Sequence, residues 1–412
     1  MKKTVKFLLG AALLCGFGSN GMKNGAFLQE NWMNSAPIAY EQSMEEAVSV
    51  AQLSGKVDLN TRAKAAYLMD FGTQTPMYAH NETARLPIAS MCKIMTLLLS
   101  FDSIKAGALN IDEEICVSER AASMGGSQVF LEVNGKYTAR NLIKSIVVCS
   151  ANDSCVAMAE RIAGSESLFV DKMNEKAKEI GAHNTLFANC TGLPKEPQYS
   201  CAKDVAIMLK KLLEHEEYYE FSKVWMDKFE HPEGRFTEIT NTNKLVRFYD
   251  GCDGGKTGFT NEAGFCLAAT ARRNGLRVIS VVIGEENSAN RFDDIRTSFD
   301  YAFANYASER VTEGGVPLDE PVSVSGGKEK CVSVCPARSA YALTKRGEKS
   351  NVTVECYYDN AKAPVEKGDT VGEMVIFKDG VEVDRVPLLA AESVKKANFF
   401  DRLQEIAQNW NG

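Results

Sequence analysis

The residues from Ile88 to Leu98 read IASMCKIMTLL and mark a change in the pattern of the chain. Apolar residues in this stretch recur three and four positions apart, at Met91, Ile94 and Leu98. That spacing places them on one face of a helix. Pro87 stands just ahead, where proline is tolerated at a helix start. We therefore predict a helix with a buried face that begins here.

Ser90 and Lys93 lie three positions apart on this predicted helix. Side chains at that spacing share a face, about 5–6 Å apart at Cβ, so a neutral lysine can take the proton of the serine hydroxyl. The same serine–lysine spacing occurs at Ser200, Ser325 and Ser393, so the pair alone is weak evidence. Ser90 differs because it begins a helix, whose free N–H groups suit the binding of an oxyanion.

Two later motifs strengthen the case for a nucleophilic serine. Ser150-Ala151-Asn152 lies 60 residues after Ser90, between two predicted helices, where a loop can direct side chains into a cleft. The same tripeptide recurs at Ser288, so its position matters more than its identity. Lys256-Thr257-Gly258 occurs once and leads into a predicted hairpin. A cationic and a hydroxyl side chain on an edge strand, followed by glycine, suit a substrate that carries a carboxylate.

The rest of the first three hundred residues predicts an α/β (α+β) fold. The turn signal Asn274-Gly275 joins two β-rich runs and predicts a hairpin. Strands at both ends of a mostly helical stretch predict one antiparallel sheet, flanked by helices and a helical subdomain. The predicted strands are 65–70, 76–80, 264–271 and 276–283, the helical stretch is 89–230, and a last helix is 290–306.

The C-terminal part of the sequence changes character after Glu313-Gly314-Gly315, which is typical of a linker. Short alternating runs separated by Gly, Asp, Asn and Pro predict a small all-β domain over 316–390. The final residues, 392–412, predict an amphipathic helix with Phe399 and Phe400 on its apolar face. We expect either weak binding of this helix to a membrane surface or packing of the helix on the β domain.

The N-terminal residues predict export. Lys2, Lys3 and Lys6 precede a short apolar run, and small and polar residues follow, which is the arrangement of a signal peptide over 1–21. An uncleaved membrane anchor is the alternative.

A net charge of −7 disfavours nucleic acid as a partner. Twelve cysteines become eleven once Cys15 is removed, so at least one thiol stays unpaired, and we expect most to be buried small residues.

The three motifs in this order resemble those of the low-molecular-mass penicillin-binding proteins, specifically the D-alanyl-D-alanine carboxypeptidases. The resemblance runs from about Ala65 to Tyr306, and it implies a DD-peptidase/β-lactamase-like catalytic domain over 40–312. Further segments that match the family are 124–127, 187–189, 192–194 and 241–244, together with 253–260.

The resemblance implies a role for each motif residue. Ser90 would form the acyl-enzyme, Lys93 would be its base, and Ser150 would pass a proton to the leaving D-alanine. Asn152 would bind the substrate amide. The backbone N–H groups of Ser90 and Phe259 would form the oxyanion hole. Thr257 and Arg291 would hold the terminal carboxylate. Lys256 and Gly258 would also belong to the substrate-binding site, and the positive charge of Lys256 would help to keep Lys93 partly neutral.

The implied activity is removal of the terminal D-alanine from peptidoglycan stem pentapeptides outside the cytoplasm. Penicillins and other β-lactams would act as covalent inhibitors, and the chemistry needs no metal or cofactor. A β-lactamase is one alternative, although no Glu-x-x-Leu-Asn segment follows the second motif to supply a deacylating carboxylate. A non-catalytic cell-wall binding protein is the other, although nucleophile, base and third motif are all present.

Overall fold

The structure is a computed structural model that describes residues 3–9, 57–348 and 350–401. It separates into two compact units. The larger unit contains residues 57–316 and 336–348, and the smaller unit contains 317–335 and the described residues from 350 onward, together with 3–9. The sequence predicted a single boundary near residue 316. Residues 336–348 belong to the larger unit because Ala340–Lys345 pairs antiparallel with Tyr306–Thr312.

A five-stranded antiparallel sheet forms the centre of the larger unit, and it combines strands from both ends of the predicted helical stretch. Asn274 and Gly275 both have positive φ (49° and 85°), as a tight hairpin turn requires. The sheet and its hairpin turn confirm the sheet that the sequence predicted. In spatial order the strands are Pro76–His80, Ala65–Asp70, Leu276–Glu285, Gly264–Arg273 and Cys252–Thr260. We call Cys252–Thr260 the motif strand.

Helices cover both faces of this sheet. Alternate residues of Ala65–Asp70 face two separate apolar cores: Tyr67 packs with the helical subdomain, and Leu68 packs against the last helix. Both sides of the strand are therefore buried, as the period of two along a strand dictates. The helices are Lys93–Lys105, Glu119–Ala122, Ala139–Cys149, Asn152–Ala163, Glu166–Glu179, Ala202–Leu212, Tyr218–Ser222, Leu245–Phe248 and Ser288–Asn305.

Two small antiparallel strand pairs interrupt the stretch that the sequence predicted as helical. They pair Glu114–Cys116 with Lys136–Thr138, and Met226–Glu230 with Phe236–Thr240. None of the helices in the described part of the chain is long and apolar enough to span a bilayer.

The smaller unit consists of β strands, as predicted. Its larger sheet is antiparallel among its long strands and begins at one edge with Lys3–Leu9, which pairs with Val352–Tyr358. That edge strand falls on the predicted signal peptide, of which residues 1–2 and 10–21 lie outside the described residues. Cleavage after residue 21 would remove this strand. The other strands are Val322–Ser325, Cys331–Val332, Val334–Pro336, Ala361–Lys362, Thr370–Lys378 and Val381–Ala390.

The predicted tail helix is described only as far as Asp401. Phe399 and Phe400 are exposed, and their rings lie edge to face. Most of the predicted apolar face, from residue 402 onward, lies outside the described residues.

Candidate active site

Ser90 and Lys93 are in direct contact. Ser90 lies in a single 3-10 turn, Ala89–Cys92, and Lys93 begins the α-helix Lys93–Lys105. The Lys93 Nζ lies 2.9 Å from Ser90 Oγ, and it donates a second hydrogen bond of 2.6 Å to the carbonyl oxygen of Thr191. Lys93 is completely buried, and this burial lowers the pKa of its ammonium group. An ammonium group buried in this way holds its proton less firmly than that of a surface lysine.

The backbone of the serine turn is strained and tightly enclosed. Ala89 has φ +46°, a left-handed conformation that is costly for a residue with a Cβ. Two glycines make room for this turn. A Cβ at Gly192 would lie 2.0 Å from the carbonyl oxygen of Ala89, and one at Gly258 would lie 2.7 Å from that of Ile88. Only glycine at these two positions allows the chain to approach Ser90 this closely.

Ser150 and Asn152 come from the junction of two helices. Ser150 ends Ala139–Cys149 in a left-handed conformation (φ +66°), which turns the chain before Asn152 begins the next helix. Ser150 Oγ is buried and has no hydrogen-bond partner among the described residues. Asn152 Nδ2 donates a 2.7 Å hydrogen bond to the carbonyl oxygen of Gly125. A buried hydroxyl without a hydrogen-bond partner costs folding free energy, and such a group is expected where a substrate supplies the partner.

Lys256 and Thr257 place a second ammonium group and a hydroxyl on the motif strand. Both residues are buried, and Lys256 Nζ donates to the carbonyl oxygen of Thr257 at 3.2 Å. Burial, followed by repulsion from Lys93, lowers the pKa of Lys256 to about 7. Thr257 Oγ1 donates a 2.8 Å hydrogen bond to Thr242 Oγ1. The two lysines therefore share one poorly hydrated site.

Arg291 and Phe259 lie at the far end of the motif strand. Arg291 Nη1 donates to the carbonyl oxygens of Gly258 (3.1 Å) and Cys266 (3.4 Å). Its Nε is buried without a partner in the described part of the chain. Phe259 is half exposed, and its ring stacks on that of Phe265 at 4.3 Å. Arg291 Nη2 donates to Ser288 Oγ at 3.2 Å, so the structure brings Arg291 to the backbone of the motif strand and to the start of its own helix.

The family models agree with this arrangement. A model described as D-alanyl-D-alanine carboxypeptidase matches residues 48–287, and a model of the C-terminal domain of penicillin-binding protein 5 matches 306–396. The D-alanyl-D-alanine carboxypeptidase DacF of Bacillus subtilis is 40% identical over 355 residues, which cover 86% of this chain and 91% of that protein. The chain belongs to the D-alanyl-D-alanine carboxypeptidase family.

Other members of this serine peptidase family are similar at lower identity. The D-alanyl-D-alanine carboxypeptidase DacC of Escherichia coli is 29% identical, with 83% of this chain and 86% of that protein covered. Among solved structures, penicillin binding protein 5 from Haemophilus influenzae superimposes with a TM-score of 0.64 at 27% identity. That match covers 81% of this chain and 98% of the other.

The family site includes residues whose roles the sequence did not indicate. The sequence marked the segments around Asn189 and Thr242 as similar to the family but gave them no role. In the structure, Asn189 Oδ1 accepts from the N–H groups of Thr191 and Gly192 at 3.1 and 2.7 Å, so it shapes the loop that contacts Lys93. A backbone carbonyl such as that of Thr191 has no side-chain signature and could not have been found from the sequence.

Cysteines close to the family motifs are inert by environment. Cys92 is fully buried and its Sγ donates to the carbonyl oxygen of Asn189. Burial raises the pKa of Cys92, that of Cys155 to about 12 and that of Cys149 to about 11. The eleven cysteines of the described residues, including Cys331 and Cys335, are all free thiols. This agrees with the prediction of small buried residues for most of them.

Proposed function

We propose that Ser90 performs the reaction of the family, removal of the terminal D-alanine from a peptidoglycan stem pentapeptide through an acyl-enzyme. The observation that carries the proposal is the 2.9 Å contact between Ser90 Oγ and the Nζ of a fully buried lysine. In its neutral form Lys93 accepts the hydroxyl proton while the oxygen attacks the carbonyl of the penultimate D-alanine.

The oxyanion that forms is held by backbone N–H groups. Ser90 lies in a 3-10 turn, and the position that a Cβ of Gly258 would take is 3.2 Å from the Ser90 nitrogen. The motif strand is therefore close enough for the N–H of Phe259 to act together with that of Ser90. Donors fixed in this way stabilise a tetrahedral intermediate without reorganising during the reaction.

The leaving group departs as D-alanine. Ser150 passes a proton to the departing nitrogen, a role supported by its buried and unpartnered hydroxyl. Asn152 binds the amide of the acyl portion. Lys256, Thr257 and Arg291 receive the terminal carboxylate, for which a buried ammonium group and a hydroxyl on one strand are suited. Water then releases the shortened peptide from Ser90.

Two alternatives share this fold. A β-lactamase would use the same serine but hydrolyse penicillin rapidly, whereas a penicillin-binding protein remains acylated. A non-catalytic cell-wall binding protein would keep the shape without releasing D-alanine. The test is incubation of the protein with a pentapeptide ending in D-Ala-D-Ala, followed by mass spectrometry. We expect loss of one D-alanine; an unchanged peptide together with rapid penicillin hydrolysis would favour the β-lactamase.

The place of action follows from the substrate. Members of the family act on peptidoglycan, which implies extracytoplasmic action. We propose that residues 1–21 direct export and are removed.

We also propose that the tail holds the protein weakly at a membrane surface, since Phe399 and Phe400 are exposed. Vesicle sedimentation of the protein with and without residues 392–412 tests this, and equal sedimentation would exclude a membrane anchor.

A further inference from the structure

A cavity of about 310 Å³ adjoins the catalytic residues. Two of its lining residues contact those residues directly: the carbonyl oxygen of Thr191 accepts from Lys93 Nζ at 2.6 Å, and that of Gly125 accepts from Asn152 Nδ2 at 2.7 Å. Its volume is at the low end for small-molecule sites, so it suits one side chain rather than a whole ligand.

The position of the cavity corresponds to the acyl side of the substrate. In the proposed reaction the terminal carboxylate binds Lys256 and Thr257, and Asn152 binds the amide of the acyl portion. The peptide upstream of the penultimate D-alanine therefore continues past Asn152. Because the Asn152 carboxamide is bonded to the cavity wall at Gly125, the next side chain along the peptide is the one within reach of the cavity.

The ionisable residues of the cavity leave an excess of positive charge. They are Arg120, Glu166 and Lys195. Both oxygens of Glu166 are engaged, one by Arg120 Nη2 at 3.0 Å and the other by the thiol of Cys190 at 3.5 Å. Arg120 makes this contact through one nitrogen while 58% of its side chain is exposed. Lys195 is exposed and has no ion pair within the described residues.

We propose that this cavity is a subsite for a carboxylate on the side chain of the residue that precedes D-Ala-D-Ala. The substrate class is then a stem peptide whose third residue is a diamino dicarboxylic acid with a free side-chain carboxylate. Arg120 and Lys195 bind that carboxylate. A lysine at the same place brings only an ammonium group to a wall that already has surplus positive charge. This inference rests on the proposed carboxypeptidase activity.

Three peptides ending in D-Ala-D-Ala test the subsite. They differ only in the third residue, which is meso-diaminopimelate, the same residue with its side-chain carboxylate amidated, or L-lysine. We expect kcat/KM for D-alanine release to favour the free acid over the amide by about three- to tenfold, the range of a partly exposed charge contact. The preference should decrease at high salt, because exposed charges are screened.

Variants identify the residues responsible. Lys195→Gln should reduce the preference for the acid, and Arg120→Gln should reduce it further because it also frees the Glu166 carboxylate. Arg296→Gln is the matched control, since Arg296 forms a similarly exposed ion pair with Asp293. Benzylpenicillin lacks the side chain in question, so its acylation rate should be unchanged in all three variants; a changed rate with an unchanged acid preference would indicate a structural role only.

The outcomes separate the subsite from the activity itself. Equal kcat/KM for acid and amide in the wild type overturns the subsite while D-alanine release still supports the carboxypeptidase. A preference that survives in both cavity variants also overturns it, because the carboxylate is then bound elsewhere. Absence of D-alanine release from all three peptides contradicts the proposed function, and the subsite with it.

Discussion

Lys93 and Lys256 are two ammonium groups in one buried site. Both are completely or almost completely removed from solvent, at 0% and 2% exposure. Desolvation favours the neutral amine, and two like charges close together favour it further. Burial of both side chains therefore lowers the pKa of each lysine and favours the neutral amine that a base beside Ser90 requires.

The first prediction concerns the pH dependence of acylation. Repulsion between the two lysines is mutual, so Lys256→Gln should raise the pKa of Lys93. If Lys93 acts as the neutral amine, as proposed, the acid limb of the rate should then move to higher pH. Rapid-mixing measurement of penicillin acylation across about pH 5–10 gives this limb. Lys136→Gln, at an exposed lysine, is the control. An acid limb that stays in place or moves to lower pH in Lys256→Gln contradicts the coupling.

The second prediction concerns Arg291. We assume that the Arg291 guanidinium binds the terminal carboxylate. Arg291→Ala should then lose about 1.5–3 kcal/mol of transition-state binding for a peptide with a free C-terminal carboxylate. A peptide with an amidated terminus should lose much less. The measurement is kcat/KM for both peptides. An equal loss of kcat/KM for the two peptides would mean that Arg291 has only a structural role, through its hydrogen bond to the carbonyl oxygen of Gly258.

At the scale of elements, the serine turn is enclosed by two segments distant in sequence. The motif strand approaches it at Gly258, and the loop after Asn189 approaches it at Gly192. The strained φ of Ala89 persists because both neighbours confine it. The position of Ser90 is thus set by backbone contacts from outside its own helix.

The third prediction compares two glycines with the same backbone conformation. Gly192 and Gly181 both have φ +83°, but only a Cβ at Gly192 would meet the serine turn, and none of the described atoms lies within 4 Å of one at Gly181. Each change to alanine should cost about 1–2 kcal/mol of stability for the left-handed conformation. Gly192→Ala should also reduce penicillin acylation by about 100-fold or more by displacing Ser90. Thermal melting and labelling with a fluorescent penicillin separate the two effects, and equal labelling of both variants contradicts the account.

The fourth prediction concerns the ion pair at the start of the motif strand. Arg277 donates from Nη1 and Nη2 to the two carboxylate oxygens of Asp253, each at 2.8 Å, and both side chains are largely buried. Arg277→Met leaves that carboxylate without its partner and should cost about 3 kcal/mol of unfolding free energy. Arg296→Met breaks an exposed pair and should cost less than about 1 kcal/mol. Chemical denaturation measures both. Equal stability of the two variants would show that the Asp253 pair does not anchor the strand.

At the scale of the whole molecule, the family resemblance predicted that the three motifs share one site. Ser90, Ser150 and Lys256 are far apart along the chain, and their meeting was implied by the family resemblance rather than by spacing alone. The central sheet combines strands that precede and follow the helical stretch. It was predicted from the β-rich runs and the Asn274-Gly275 turn.

Other features depend on contacts that no local pattern specifies. The helix was predicted from Ile88, yet residues 89–92 form a 3-10 turn, which the backbone approaches closely at Gly192 and Gly258. The return of residues 336–348 to the larger unit depends on pairing with Tyr306–Thr312, a contact between segments separated by other strands. The hydrogen bond between Thr257 and Thr242 is likewise a product of the tertiary fold.

We expect Ser90, and no other serine, to form the acyl-enzyme. The most direct measurement is intact-mass and peptide-mapping mass spectrometry of the protein after reaction with benzylpenicillin. We predict one adduct, on Ser90, in the wild type and in Ser325→Ala, which removes another serine that precedes a lysine by three positions. Ser90→Ala should retain its melting temperature and carry no adduct. An adduct that persists in Ser90→Ala, or that maps to Ser200, Ser325 or Ser393, would contradict the account.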